Sequence, residues 1–351
     1  CKSTKEVDNC DKLSYICTPL RAFEHRTMKK KAGISSLAFI LALAGATILL
    51  SSNKAQEPQH TDSGQRQIAL THSPEVPASI TFAGETIDLT PQDRRERMDK
   101  EMLSFTYSHI NTQLIIKRAN RLFPVVEPIL KECGVPDDFK YLMIIESNGD
   151  PEAVSPSKAC GQFLESTGRE YGLEINGEID ERYHTVKATR AACRYLKESY
   201  EKYGDWLTVA ASYNTGRANV TKRIERQKER KAIDLVLPDE TSRYIFRILA
   251  AKLIMQNPQE FGFYVRQRDL YPPIQYRTAE LKGQNVDLYQ FAKENNTTYK
   301  MLRELNPWLT TTKLTNKYNK TYTVKLPVEN GTRRDVLQTE AQRSAKLLES
   351  I

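Results

Sequence analysis

Through the middle of the chain apolar residues recur at steps of three and four, the spacing that superposes side chains on one face of a helix. Between Arg94 and Arg121 these positions are Met98, Met102, Phe105, His109, Leu114 and Ile115, and Phe123 to Cys133 carries the period on across Pro124 and Pro128. Pro136 to Asn148, Val186 to Tyr203, Trp206 to Ser212 and Arg243 to Met255 repeat it, the last with Tyr244, Ile245, Ile248, Leu249 and Leu253 inward. A mainly α domain over residues 92–270 is expected from these segments. After Tyr271-Pro272-Pro273 the period changes. Strand patterns at Gln275 to Ala279 and Thr321 to Leu326 enclose helical patterns at Leu288 to Glu294 and Tyr299 to Glu304, which predicts a small α+β unit of β-α-α-β order over residues 275–328. A unit of that size supplies little core of its own and reads as a module, not a catalytic domain. Residues 329–351 read as a charged tail.

The N-terminal part departs from this pattern. Ala32 to Leu50 carries no charge and is dominated by Ala, Leu and Ile, directly after Met28-Lys29-Lys30-Lys31, the layout of a secretory signal. The run exceeds the roughly 7 to 15 apolar residues usual for a cleaved signal, so residues 28–55 are expected to be either a signal peptide or an uncleaved membrane anchor. Because Met28 opens that segment, residues 1–27 are expected to be translated upstream sequence. No cysteine directly follows the apolar run, which argues against lipid modification there. Residues 56–91, rich in Gln, Ser, Thr and Pro without a sustained period, read as a linker. An exported protein, periplasmic or associated with an envelope membrane through its apolar segment, is the expectation.

Composition narrows the function. The 351 residues are 39% hydrophobic and 27% charged, which describes a folded globular chain. Of the net charge of +8, +5 falls within the first 54 residues, and the remaining +3 is too weak a bias to argue for nucleic acid. Beyond the leader the cysteines are Cys133, Cys160 and Cys193, an odd and widely spaced set without zinc-ligand spacing, expected as buried free thiols. His109 and His184 have no partner at ligand spacing and read as structural. The basic run from Thr221 to Lys231 reads as a solvated helical extension.

The candidate chemistry centres on Glu146. Helical spacing puts it on the same stripe as Phe139, Leu142 and Met143, so a carboxylate belongs to an apolar face. Desolvation and the negative end of the helix dipole, just before Asn148-Gly149-Asp150-Pro151, are both expected to raise its pKa. A carboxylic acid still protonated near neutral pH is what cleavage of a glycosidic bond requires. Around it stand Glu146-Ser147, Ser155-Pro156, Gly161-Gln162-Phe163, Ser166-Thr167-Gly168 and Ala211-Ser212-Tyr213-Asn214-Thr215-Gly216, with Leu237-Pro238-Asp239-Glu240-Thr241 further on.

In these motifs residues from about Arg94 to Phe263 resemble the lytic transglycosylase family related to goose-type lysozyme, in particular its membrane-bound D-type group. The resemblance implies a mainly α, lysozyme-like catalytic domain with Glu146 as the general acid and base. It further implies that Ser155 orients the sugar's acetamido group, that Gln162 lines the cleft, and that Tyr213 hydrogen-bonds near the carboxylate. Asn214 would hold the turn or contact sugar, and Glu240 would stand behind the site. Asp180 and Glu181 lie in a matching segment and are taken as structural. The chain departs from the family at Gly161-Gln162, where two residues, one a large aromatic that would stack on sugar, are missing from the usual loop.

The reaction the resemblance implies is cleavage of the bond between N-acetylmuramic acid and N-acetylglucosamine in peptidoglycan, closing a 1,6-anhydro ring with no metal or organic cofactor. Residues 275–328 resemble a degenerate lysin motif (LysM), which implies binding of glycan strands. Two other readings stay open: a hydrolytic muramidase using the same glutamate, and a non-catalytic peptidoglycan-binding protein with a shortened active-site loop. A monomer is the simplest expectation for its assembly.

Overall fold

A computed structural model describes residues 73–149, 164–329 and 331 of the chain. The elements run β1 (Ser79–Phe82), β2 (Glu85–Asp88), α1 (Gln92–Tyr107), α2 (His109–Cys133), α3 (Phe139–Ser147), α4 (Glu165–Glu170), α5 (Thr185–Tyr203), α6 (Trp206–Thr215), α7 (Arg217–Gln227) and α8 (Asp239–Gln256). After a connector come β3 (Tyr276–Leu281), β4 (Val286–Asp287), α9 (Leu288–Glu294), α10 (Tyr299–Leu305), β5 (Lys313–Leu314) and β6 (Tyr322–Pro327). The apolar run at residues 32–50, Cys160 and nearly all of the expected tail lie outside the described residues. Among the described residues no helix is long and apolar enough to cross a membrane.

The helical domain is arranged around α3. This helix is only nine residues long and almost wholly buried, with Phe139, Tyr141, Leu142, Met143, Ile144 and Ile145 all enclosed. A helix apolar on every side belongs in the middle of a domain, and α3 packs between α2 and α8 while α5 and α6 complete the surround. The expected one-sided stripe is therefore too narrow. Helix α2 runs through Pro124 and Pro128 unbroken, its Val126, Ile129 and Leu130 anchored in the core, and the expected continuity with α1 fails only at Ser108. Asp205 caps α6 by accepting the Thr208 N–H at 2.7 Å, which fixes where that helix starts. Cys133 and Cys193 are free thiols, the first half-buried and the second buried.

The linker expected over residues 56–91 is corrected at its C-terminal end. Strands β1 and β2 form an antiparallel hairpin across Ala83-Gly84, pairing Ile80 with Ile87, and Ile80, Phe82, Ile87 and Leu89 join the helical core. Each strand is four residues long, too short for its alternation to stand out against the polar residues around it. A buried clip holds the hairpin to the site: Lys252 of α8 donates to the Thr81 carbonyl at 2.6 Å and pairs with Asp138 at 2.7 Å, while Asp138 accepts the Ala83 N–H at 2.6 Å. Asp138 immediately precedes α3, so the clip fixes the start of that helix.

The C-terminal module has the expected β-α-α-β order, with β3 and β6 paired antiparallel from Tyr276↔Pro327 to Leu281↔Tyr322. A second short pair, β4 with β5, was not expected. Its core of Leu281, Leu288, Leu302, Trp308, Leu309, Leu314, Val324 and Leu326 also contains Ile179, which belongs by sequence to the helical domain. The two backbones meet there, since Asp180 N–H donates to the Trp308 carbonyl and Thr310 N–H to the Glu178 carbonyl, both at 2.9 Å. Asp180 is buried in a two-bond pair with Arg182.

Candidate active site

Glu146 stands at the end of α3, and the way the helix stops decides where it points. Asn148 (φ +51°) and Gly149 (φ +64°) are both left-handed, and the Gly149 N–H closes on the Ile144 carbonyl at 3.1 Å. A Cβ on residue 149 would lie 2.6 Å from Ile144 Cδ1 and 2.9 Å from Arg118 Cβ, so only glycine passes between α2 and α3. The chain is turned out of the core directly after Ser147, leaving the Glu146 carboxyl half-buried at the domain's edge.

Tyr244, buried on α8, donates its hydroxyl to Glu146 Oε1. Burial is the leading influence on Glu146 and pushes its pKa up to about 7, against the Tyr244 hydrogen bond and the nearby Arg247 charge, which favour the anion. Glu240 adds a smaller push upward. The Tyr244 phenol is held well above its ordinary value by burial and by the Glu146 charge, so it remains a proton donor to the carboxylate. This arrangement gives a carboxyl group that exchanges a proton near neutral pH beside a fixed hydroxyl.

Of the residues singled out in the sequence, Tyr213 and Asn214 fall on the last turn of α6, both half-buried. The Tyr213 ring meets Tyr195 edge-on at 5.4 Å, and Tyr195 in turn donates its hydroxyl to the Ser212 carbonyl at 2.7 Å, which ties that turn to α5. Tyr213 lies near Tyr244 and adds a smaller push upward to its pKa. Glu240 is exposed in the first turn of α8, an end of the helix that favours an acid. Ser155 and Gln162, with the shortened Gly161-Gln162 loop, lie outside the described residues.

Tyr213 was expected to hydrogen-bond near the carboxylate; the hydroxyl bonded to Glu146 Oε1 is that of Tyr244, a residue given no part in the site by the sequence. In the sequence Tyr244 reads as one more inward residue of an apolar face. The signal that marks it is its hydroxyl, which a buried tyrosine must satisfy. Replacing Tyr244 by Phe keeps the burial and removes a bond that favours the anion, so the midpoint for Glu146 should climb above 7 by about one unit. Carbon NMR of the labelled carboxyl group in the two proteins measures it, and a downward move would contradict this account.

Among the described residues no three of His, Cys, Asp and Glu come together where they could hold a metal ion. Residues 128–236 match the family described as Transglycosylase SLT domain, and residues 277–330 match the soluble lytic transglycosylase C-terminal LysM-like domain. The chain is 32% identical over 189 residues to the membrane-bound lytic murein transglycosylase D of Escherichia coli K12, and equally so to that of Escherichia coli O6:H1. The match covers 52% of this chain and 41% of each relative, so the chain spans less than half the length of these curated relatives.

Proposed function

We propose that this chain, which carries a transglycosylase SLT domain followed by a LysM-like domain, is a peptidoglycan lytic transglycosylase with Glu146 as its only catalytic carboxyl group. The observation that carries the reading is the half-buried carboxyl held near pKa 7 with the Tyr244 hydroxyl on one oxygen. A group with that pKa is protonated often enough at neutral pH to act as an acid and ionised readily enough to act next as a base.

In the first step protonated Glu146 gives its proton to the glycosidic oxygen between N-acetylmuramic acid and N-acetylglucosamine, and that bond breaks. The substrate's own acetamido oxygen stabilises the positive charge at the anomeric carbon. Tyr244, still protonated, holds the newly ionised Glu146 in position. Glu146 then takes the proton of the muramyl 6-hydroxyl as that oxygen bonds to the anomeric carbon, which closes the 1,6-anhydro ring and restores the acid. Tyr213 and Asn214 on the last turn of α6, and Ser155 and Gln162 after α3, are the groups proposed to hold the sugars, with Glu240 acting on Glu146 through its charge.

The LysM-like domain is proposed to hold glycan strands, in a protein of the cell envelope. Its shared core with the helical domain through Ile179 would fix the bound strand at a constant distance from Glu146. The non-catalytic alternative gains nothing from a carboxyl group kept near neutrality in an apolar site, since a merely sugar-binding acid needs no raised pKa. Mass spectrometry of the fragments released from purified cell wall tests the reading. Products ending in 1,6-anhydromuramic acid are expected. Reducing muramic acid ends would instead mean that water attacks and that the protein is a muramidase.

A further inference from the structure

Two thiols stand together where the end of α2 packs on α5, and neither takes part in the reaction above. Cys133 is the last residue of α2, and Cys193 lies midway along the buried face of α5. The residues beside them hold the two positions in register. Arg190, one turn before Cys193, pairs with both carboxylate oxygens of Glu132, the neighbour of Cys133, at 3.0 Å and 2.7 Å. The sulfurs lie within hydrogen-bonding reach of each other, and Arg190 feels the charge of both.

Burial first, then the charge and hydrogen bond of Cys133, pushes the Cys193 thiol well above its ordinary pKa, against the nearby Arg190 and Arg194. Cys193 is 1% exposed, whereas Cys133 is half-buried at the helix end, so an oxidant reaches Cys133 first. One accessible thiol beside an enclosed one is the arrangement of an attacking and a resolving cysteine.

We propose that Cys133 and Cys193 form a disulfide that staples the end of α2 to α5. The oxidant is an external disulfide. The Cys133 thiolate attacks one of its sulfurs and expels the other as a thiolate. Cys193 then gives up its proton as its sulfur attacks Cys133 in the mixed disulfide, which displaces the second thiolate. The protein has lost two electrons and two protons, and the external disulfide has become two thiols. Arg190 and Arg194 favour the Cys193 thiolate as the bond closes. The closed loop spans residues 134–192 and contains α3 with Glu146. A cross-link across so long a loop restricts the unfolded chain more than the folded one. The cell envelope, where the protein is proposed to work, is a compartment in which disulfides persist.

Incubation of the whole protein with oxidised glutathione, followed by digestion without reductant and mass spectrometry, tests the bond. A peptide pair joined through Cys133 and Cys193 is expected, lighter by two hydrogens than its reduced parts. The oxidised protein should melt roughly 5–15 °C above the reduced one, and dithiothreitol should abolish the difference. Cys133→Ser should remove both the linked peptide and the rise, and Cys133→Ala serves the same purpose should the serine variant fold poorly. Two free thiols after oxidation, glutathione left on Cys133 without closure, or linkage of either thiol to Cys160 would overturn the proposal. So would a bond that forms without raising the melting temperature, or a rise that survives in the variants. Neither readout involves turnover, so a Glu146 that fails to cleave cell wall leaves the disulfide standing.

Discussion

Glu146→Gln is expected to cut the release of wall fragments by about 100- to 10,000-fold, the contribution usual for a positioned acid and base, while making the protein more stable in alkaline solution. Both effects come from the same carboxyl group. Folding raises its pKa from 4.5 to about 7, chiefly through desolvation of the anion. The folded state therefore binds the Glu146 proton more tightly than the unfolded chain does. That stabilisation is complete below the ordinary carboxylate pKa and is lost as the pH rises through about 7, a loss on the order of 2–3 kcal/mol. Gln has no charge to desolvate at any pH, and its amide oxygen still accepts from Tyr244, so the variant escapes the loss. Urea unfolding at pH 5 and pH 8 separates the outcomes: the wild type should weaken relative to the variant at the higher pH. Retained turnover would remove Glu146 from the mechanism. A variant that is less stable at pH 8 would make the carboxylate a structural partner, not a strained functional group.

Helices α5 and α8, with the two helices and the outer strands of the C-terminal domain, were readable from the sequence because each has enough turns or alternations for its period to dominate. Asp287 and Thr298 mark the starts of α9 and α10 as side-chain caps, bonding Tyr289 N–H at 2.9 Å and Met301 N–H at 3.1 Å. The hairpin at Ser79–Phe82 and Glu85–Asp88 was not readable as part of the core, since its burial depends on the distant Lys252 and Asp138. Long-range contacts of this kind leave no local period.

The site divides in the same way. Glu146 stood out because a carboxylate on an apolar stripe breaks the pattern, and desolvation, the leading cause of its raised pKa, was already implied there. Tyr244 did not, because it fits the apolar face of α8, and only the fold brings its hydroxyl across 98 positions of sequence to Glu146.

Ile179→Ala is expected to loosen the C-terminal domain by about 2–4 kcal/mol, the range for deleting a buried branched side chain without refilling its space, while leaving the helical core nearly untouched. Ile179 is 1% exposed, yet it packs with Trp308, Leu309 and Leu314 and not with the helices on either side of it in sequence. Its backbone bridges to Leu309, and the adjoining Asp180 and Glu178 bond to the Trp308 carbonyl and the Thr310 N–H. Around this contact the buried Tyr322 donates to Glu174 at 3.1 Å, and half-exposed Lys320 lies 3.1 Å from the same carboxylate, an ion pair that adds little by itself. Hydrogen exchange followed by mass spectrometry should therefore speed up over β3, α9, α10 and β6 while α3 and α8 keep their protection. Unchanged exchange would mean that Ile179 is not what holds the domains together, and equal loss in both would mean that they unfold as one unit. A fragment of residues 275–328 alone lacks Ile179 altogether and would present the Trp308 and Leu309 face to water, so glycan binding by this domain is better measured in the whole chain. If docking sets the path of the strand, Ile179→Ala should also slow wall cleavage more than cleavage of short soluble fragments, because only a long strand can reach both the domain and Glu146 at once.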